Sequence, residues 1–332
     1  MGLMLLALLV AAGATIPTPF VSIGRGPTFD VLGQVNGVQV IDIRTLTTYR
    51  PTSGHLNMTT VSVTDGLDAV EALRRWASSD YQIVPRSAVY PPGQTGEQIN
   101  QRNQQDFNDS QLRAEGAAVS YLDLPATVLV SELTDGSPSQ GVLAVGDILT
   151  SVAGRPLVKY SDLAAALAAT RPGQQIPVSF RRGDGPPQEG TITLGSREGV
   201  ATGVLGIYPD VRPVDPTEIT ISLGDIGGPS AGLMFSLGIV DDLTPGDLTG
   251  GRFVAGTGTI TSTGVVGEIQ GIRFKMLAAR EAGATVFLVP ARNCEEALEA
   301  PHDGLQLIKA DDLAGAVASL DTLRGGGTPP SC

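Results

Sequence analysis

Histidine is almost missing from these 332 residues: there are two, His55 and His302, and neither sits in a motif with an acid and a serine. A Ser-His-Asp triad therefore lacks its base. Cysteine is as scarce, Cys294 and Cys332 only. Two histidines and two cysteines without paired spacing argue against a metal site. Lys and Arg number 22 against 34 Asp and Glu, a net charge of −12. Phosphate backbones need the opposite balance, so nucleic acid is ruled out as a partner. No Gly-x-x-x-x-Gly-Lys-[Ser/Thr] run occurs, so no P-loop binds a nucleotide. Aromatics make up 5% of the chain, whereas there are 42 glycines, which predicts many tight turns and small-residue contacts. The length suits about two domains.

One long apolar run is present. Residues 1–17 carry no charge, and none appears before Arg25. A run close to the roughly 20 residues that span a bilayer reads as a single membrane anchor, over residues 1–20. It lacks the basic start of a signal peptide, although Ala12-Gly13-Ala14 offers small residues for cleavage. A cleaved signal and a buried core helix are the rival readings. An anchor puts the remaining chain outside the cytoplasm. Two cysteines in such a compartment permit one disulfide, which would tie the Gly/Pro-rich tail at 326–332 to the body.

Alternating, β-branched residues predict strands at 38–43 and 55–63. Ala69, Leu73 and Trp76 recur at helical spacing, predicting a helix over 68–78 with these three on one face. A long helix follows at 97–122. The pattern then changes: strand 127–132, Gly146-Asp147-Ile148-Leu149, Gly154-Arg155-Pro156, helix 161–170, Arg171-Pro172-Gly173, and a hairpin with its tip near Gly183. With Ser137-Pro138 and Gly141-x-Leu143, these residues resemble the PDZ domains of bacterial proteases, over 124–200. The resemblance implies a small β-sandwich or barrel with helices that captures peptides by strand addition. The expected edge strand contains Val128, Leu129 and Val130. The loop before it lacks the usual glycines, and its Asp123 would repel a carboxylate.

The chemistry lies further on. Asp225-Ile226-Gly227-Gly228-Pro229-Ser230-Ala231-Gly232 leads from a strand into an uncharged helix. A helix start offers free N–H groups and the positive end of a dipole, suited to an oxyanion. Lys275 lies on a second helix, on the face opposite Arg273 and Arg280 and beside Gly271, Ala278, Ala279 and Ala282. Small neighbours let its amine turn inward, where burial lowers its pKa and makes it a base for the serine.

These two segments, with Thr257-Gly258-Thr259-Ile260-Thr261, resemble the protease domain of the Lon (S16) family, over residues 201–325. The resemblance implies a Ser230–Lys275 dyad, with Thr257 orienting the amine and Gly228, Ala231 and Asp225 supporting the serine loop or oxyanion. It implies no cofactor and no metal, and it suggests a homo-oligomer. Residues 21–123 have the character of the strands and helix that precede a Lon serine loop. The PDZ-like segment is therefore expected as an insertion. Anchor, PDZ and Lon-type segments in this order resemble the membrane-anchored, YlbL-like PDZ–Lon proteins of Gram-positive bacteria, and the composition suggests an actinobacterial member. The expected fold is α+β. The expected function is an ATP-independent serine endopeptidase on the cell membrane, with protein or peptide substrates and the bilayer as partners. The alternative is a PDZ adaptor with a non-catalytic Lon-like domain.

Overall fold

Two six-stranded sheets, each with its own apolar core, organise the chain in the computed structural model. The structure describes residues 4, 11–44, 46–50, 53–91, 93–214, 219–224 and 226–332. The first sheet takes β1 (Phe20–Asp30), β2 (His55–Thr64) and β3 (Tyr81–Pro85) from the start of the chain. Its other half, β9 (Phe253–Gly256), β10 (Val286–Pro290) and β11 (Gln306–Ala310), comes from the end. The spatial order is β11-β10-β9-β2-β1-β3. The halves meet in a parallel pairing of β9 with β2, Phe253 opposite His55 and Gly256 opposite Met58. Residues of this domain therefore lie on both sides, in sequence, of the segment that forms the second sheet.

Against the first sheet pack α1 (Ala69–Trp76), α4 (Gly232–Leu243), α5 (Ile272–Glu281) and α6 (Leu313–Arg324), and α2 (Gly96–Tyr121) packs on α4. Helix α4 is apolar on every side from Gly232 to Val240 except at Ser236, with Asp241 and Asp242 near its end. It is buried from Gly232 to Asp242, the expected fate of a helix without a polar face. Helix α2 begins in a capping box between Thr95 and Gln98 and, at 26 residues, extends roughly 39 Å.

The second sheet, order β7-β6-β5-β4-β8, is built from β4 (Ala126–Leu133), β5 (Ile148–Val152), β6 (Gln175–Arg181), β7 (Pro187–Thr193) and β8 (Ile207–Pro213), with the two-residue strand Arg155–Pro156 pairing with β5 off this path. Helix α3 (Tyr160–Leu167) packs on it. The smaller domain therefore runs to Pro213, past the boundary at residue 200 expected from the sequence. Val128, Leu129 and Val130 do not lie on an edge either: β4 is flanked by β5 and β8. Val128 and Val130 are core residues. Asp123 pairs with Lys159 and accepts from Ser161 Oγ, so it anchors the start of α3 instead of facing a ligand.

The two domains are clamped together. A Cβ on Gly116 of α2 would stand 2.1 Å from the Val211 carbonyl oxygen of β8, so only glycine lets the helix lie on that strand. Beside this contact, Ser262 Oγ accepts the Val211 N–H at 2.9 Å. At the C-terminus, Cys294 and Cys332 form the expected disulfide. The tail pairs Ser331 with Ile308 along the edge of β11.

Two expectations change near the N-terminus. Most of the apolar run, residues 1–3 and 5–10, lies outside the described residues. Among the described residues no helix is long and apolar enough to cross a membrane. The folded body begins before residue 20: Ile16 accepts from Ala69 N–H, Thr18 donates to Leu67, and Phe20 opens β1. Helix α1 is also rotated from its expected orientation. Ala72 and Arg75 face the sheet, whereas Leu73 and Trp76 are 64% and 71% exposed. Arg75 decides this, because its guanidinium donates to Ser22 and Thr64 on the first sheet and lies over the Tyr81 ring.

Candidate active site

Ser230 sits in the turn just before α4, and Lys275 reaches it from the first turn of α5. Gly271, in the left-handed region at φ 71°, caps α5 and brings its start close to Val61 of β2. The backbone thus aims Lys275 inward, to 2% exposure. Its Nζ lies 2.7 Å from Ser230 Oγ and 2.9 Å from Thr257 Oγ1. Burial lowers the Lys275 pKa from 10.5 to about 7. No carboxylate pairs with it among the described residues.

Thr257 fixes the geometry further. Its hydroxyl donates to the Ser230 carbonyl oxygen at 3.0 Å. With its one proton committed there, Thr257 Oγ1 can only accept from Lys275. The amine must spend an N–H on threonine, which leaves the lone pair of a neutral lysine free to face Ser230 Oγ–H.

The serine loop is held from three sides. Gly258 N–H donates to the Ser230 carbonyl, and Leu233 N–H donates to Gly258. Ser110 Oγ of α2 donates to the Pro229 carbonyl at 3.0 Å. Gly228, at φ 93°, gives its N–H to the Asn103 carbonyl at 2.8 Å. Gly228 therefore shapes the loop and does not serve the oxyanion as expected. The N–H groups of Ser230 and Ala231 have no acceptor among the described residues, and they lie at the positive end of α4. Asp225 lies outside the described residues.

Asn103 and Ser110 are the residues that the sequence did not reveal. Asn103 acts through its main chain, which no side-chain pattern reports. Ser110 carried a faint signal: it shares the small-residue face of α2 with Ala114 and Ala117, which is buried against α4. A cleft of about 720 Å³ opens over Ser230 and Lys275, walled by Val61 and Val63 of β2, Asn103 and Phe107 of α2, and Tyr90. Among the described residues no cluster of His, Cys, Asp or Glu is arranged to hold a metal.

A second groove, about 780 Å³, lies between α3 and the free edge of β8. At its head the Leu205 carbonyl accepts from Ser139 Oγ, and the Gly206 carbonyl from Thr134 N–H and Ser137 Oγ. In a trans peptide the N–H points opposite to its carbonyl. The N–H groups of Gly206 and Ile207 are therefore turned away from these hydroxyls. The Thr134-to-Gly206 bond also makes Ile207 and Leu133 a non-hydrogen-bonded pair, so Ile207 presents its backbone to the open edge.

Residues 220–319 match the Lon protease (S16) C-terminal proteolytic domain. The Lon protease of Phenylobacterium zucineum is 33% identical over 127 residues, covering 36% of this chain and 16% of the relative. Lon protease 1 of Bacillus subtilis is 35% identical over 117 residues, covering 34% and 15%. The periplasmic pH-dependent serine endoprotease DegQ of Escherichia coli is 37% identical over 87 residues, covering 26% and 19%. The chain thus spans less than a fifth of the length of each of these relatives. Among solved structures, the PDZ domain of an SdrC-like protein from Listeria monocytogenes aligns at 22% identity and a TM-score of 0.23, covering 25% of this chain and 85% of that one.

Proposed function

We propose that the chain is a serine endopeptidase working through a Ser230–Lys275 dyad, tethered to a membrane by its N-terminal run and acting outside the cytoplasm. The observation that carries the reading is the buried amine 2.7 Å from Ser230 Oγ, with Thr257 fixing its direction. Neutral Lys275 takes the Ser230 proton as Oγ attacks the scissile carbonyl. The ammonium so formed returns the proton to the departing amine, and the acyl-enzyme is released by water that Lys275 activates in turn. The N–H groups of Ser230 and Ala231, at the start of α4, receive the oxyanion.

The 332 residues contain no P-loop, so an unfolding motor is no part of this scheme. Flexible or already unfolded segments are the fitting substrates. The groove between α3 and β8 suits an extended chain end, its carboxylate on the Gly206 and Ile207 N–H groups. The Cys294–Cys332 bond favours an oxidising compartment.

Cleavage of reduced, fluorescently labelled casein by the wild type and by Ser230→Ala and Lys275→Met tests the dyad. Both variants should lose cleavage by at least roughly 100-fold, the scale of a lost general base. Labelling of Ser230 by a fluorophosphonate should disappear with Lys275→Met. If both variants still cleave casein, the dyad is wrong. A wild type that neither cleaves nor labels would leave the adaptor reading.

A further inference from the structure

We propose that the Leu73–Trp76 face of α1 is a membrane-docking surface, seated in the headgroup region of the bilayer beside the N-terminal run. The proposal rests on the reading of that run as an anchor. Trp76 is the only tryptophan of the chain and is 71% exposed, and Leu73, one turn before it, is 64% exposed. The same helix buries an arginine against the first sheet, with Arg75 at 17% side-chain exposure, while its two largest apolar side chains point outward. A helix with an outward apolar face suits a membrane surface, and tryptophan favours the boundary between acyl chains and water.

The occupant follows from what α1 is attached to. The apolar run ends at Pro17, and Pro17 bridges Asp68, the N-cap of α1. Ala69, the first residue of the helix, donates to the Ile16 carbonyl at 3.1 Å. Val70 of α1 packs on Gly13: its Cγ2 lies 3.1 Å from where a Cβ on Gly13 would stand. Val70, Leu73 and Trp76 fall at successive i, i+3 positions, so the stripe that meets Gly13 continues into the exposed pair. Ile16, at the junction, is itself 55% exposed. If residues 1–15 lie in the bilayer, α1 starts within roughly one helix diameter of its surface, about 10–12 Å. That distance puts a Leu–Trp face at the headgroups rather than in bulk water.

Because Trp76 is the sole tryptophan, it reports on itself. The full-length chain is reconstituted into phosphatidylcholine–phosphatidylglycerol vesicles, floated on a density gradient and read by tryptophan emission with lipids brominated at different depths. The expected result is flotation, a blue-shifted emission and quenching strongest from the shallowest bromines. Leu73→Asp should return the emission toward that of water while the chain still floats. If the chain floats but Trp76 emits as in water and escapes quenching, the docking surface is wrong and the anchor stands. If the chain does not float, the anchor reading fails and the docking proposal falls with it. If the emission is already blue in the vesicles yet insensitive to every bromolipid, protein covers the face, and the proposal is overturned.

Discussion

Lys275 sets chemistry against stability at a single side chain. A buried ammonium is costly, and this cost is what brings the pKa down to about 7. A lysine whose folded pKa is lowered destabilises the fold wherever it stays charged, below about pH 7. The penalty then fades as pH rises toward its ordinary 10.5, because over that window the unfolded chain holds more protons. Lys275→Met should therefore abolish peptide cleavage and yet raise the unfolding free energy from urea denaturation at pH 6, by more than about 1.4 kcal/mol, the value of one pKa unit. The gain should shrink at pH 10. A gain that grew with pH would mean the amine is not held neutral by burial. For the wild type, kcat/KM should climb with pH through a single ionisation near 7. Thr257→Val removes the acceptor that turns the amine toward Ser230 while keeping the side chain's volume. Losing about 1.4 kcal/mol of hydrogen bond should lower kcat roughly tenfold with little change in KM. An unchanged kcat would remove Thr257 from the orienting role.

Helix α2 is the element that joins the two domains. Its Asn103 and Ser110 hold the serine loop, and its Gly116 lies on Val211 of β8. Gly116→Ala forces a methyl into a 2.1 Å gap against main chain and should cost about 1–3 kcal/mol in urea denaturation. Ser262→Ala strands the buried Val211 N–H and should cost a similar amount, about 1–3 kcal/mol. Because both act on one contact, the double variant should lose less than the sum. Full additivity would mean the two contacts are independent.

This interface was not legible in the sequence, and the reason is general. Ser230 and Lys275 could be read because each is defined locally, by a glycine loop before a helix and by a small-residue helix face. Which strand is the edge of a sheet depends on partners far away in the chain, so β4 was expected where β8 stands. Helical periodicity groups Leu73 with Trp76 correctly but does not say which face turns inward. That was decided by Ser22 and Thr64, whose hydroxyls receive Arg75. That one domain draws on residues from both sides of the PDZ-like segment was readable, because strands and a helix of Lon-like character precede that segment.

At the scale of the whole molecule, four buried titratable groups give the fold an unusual response to pH. Burial raises Glu115 from 4.5 to about 7. Burial also raises Asp241 and Asp242 from 3.8 to about 6, and for Asp241 this outweighs the Leu248 N–H that it accepts. A carboxyl with a raised folded pKa keeps its proton in the folded state after the unfolded chain has released it. Stability from these three groups therefore falls as pH rises from about 4 to about 7. Lys275 acts in the next window and in the other sense, so its contribution rises from about 7 upward. The two limbs meet near neutrality. The urea midpoint should accordingly be lower at pH 7 than at either pH 5 or pH 9, whereas most proteins are most stable within that span. Each limb can be assigned separately. Glu115→Gln should make the acid limb shallower, leaving the share of Asp241 and Asp242, without touching the alkaline limb, whereas Lys275→Met should remove the alkaline limb and leave the acid one. A wild-type maximum at pH 7 would mean that water or a counter-charge reaches these groups, and the Lys275 pKa that the proposed dyad needs would lose its physical basis.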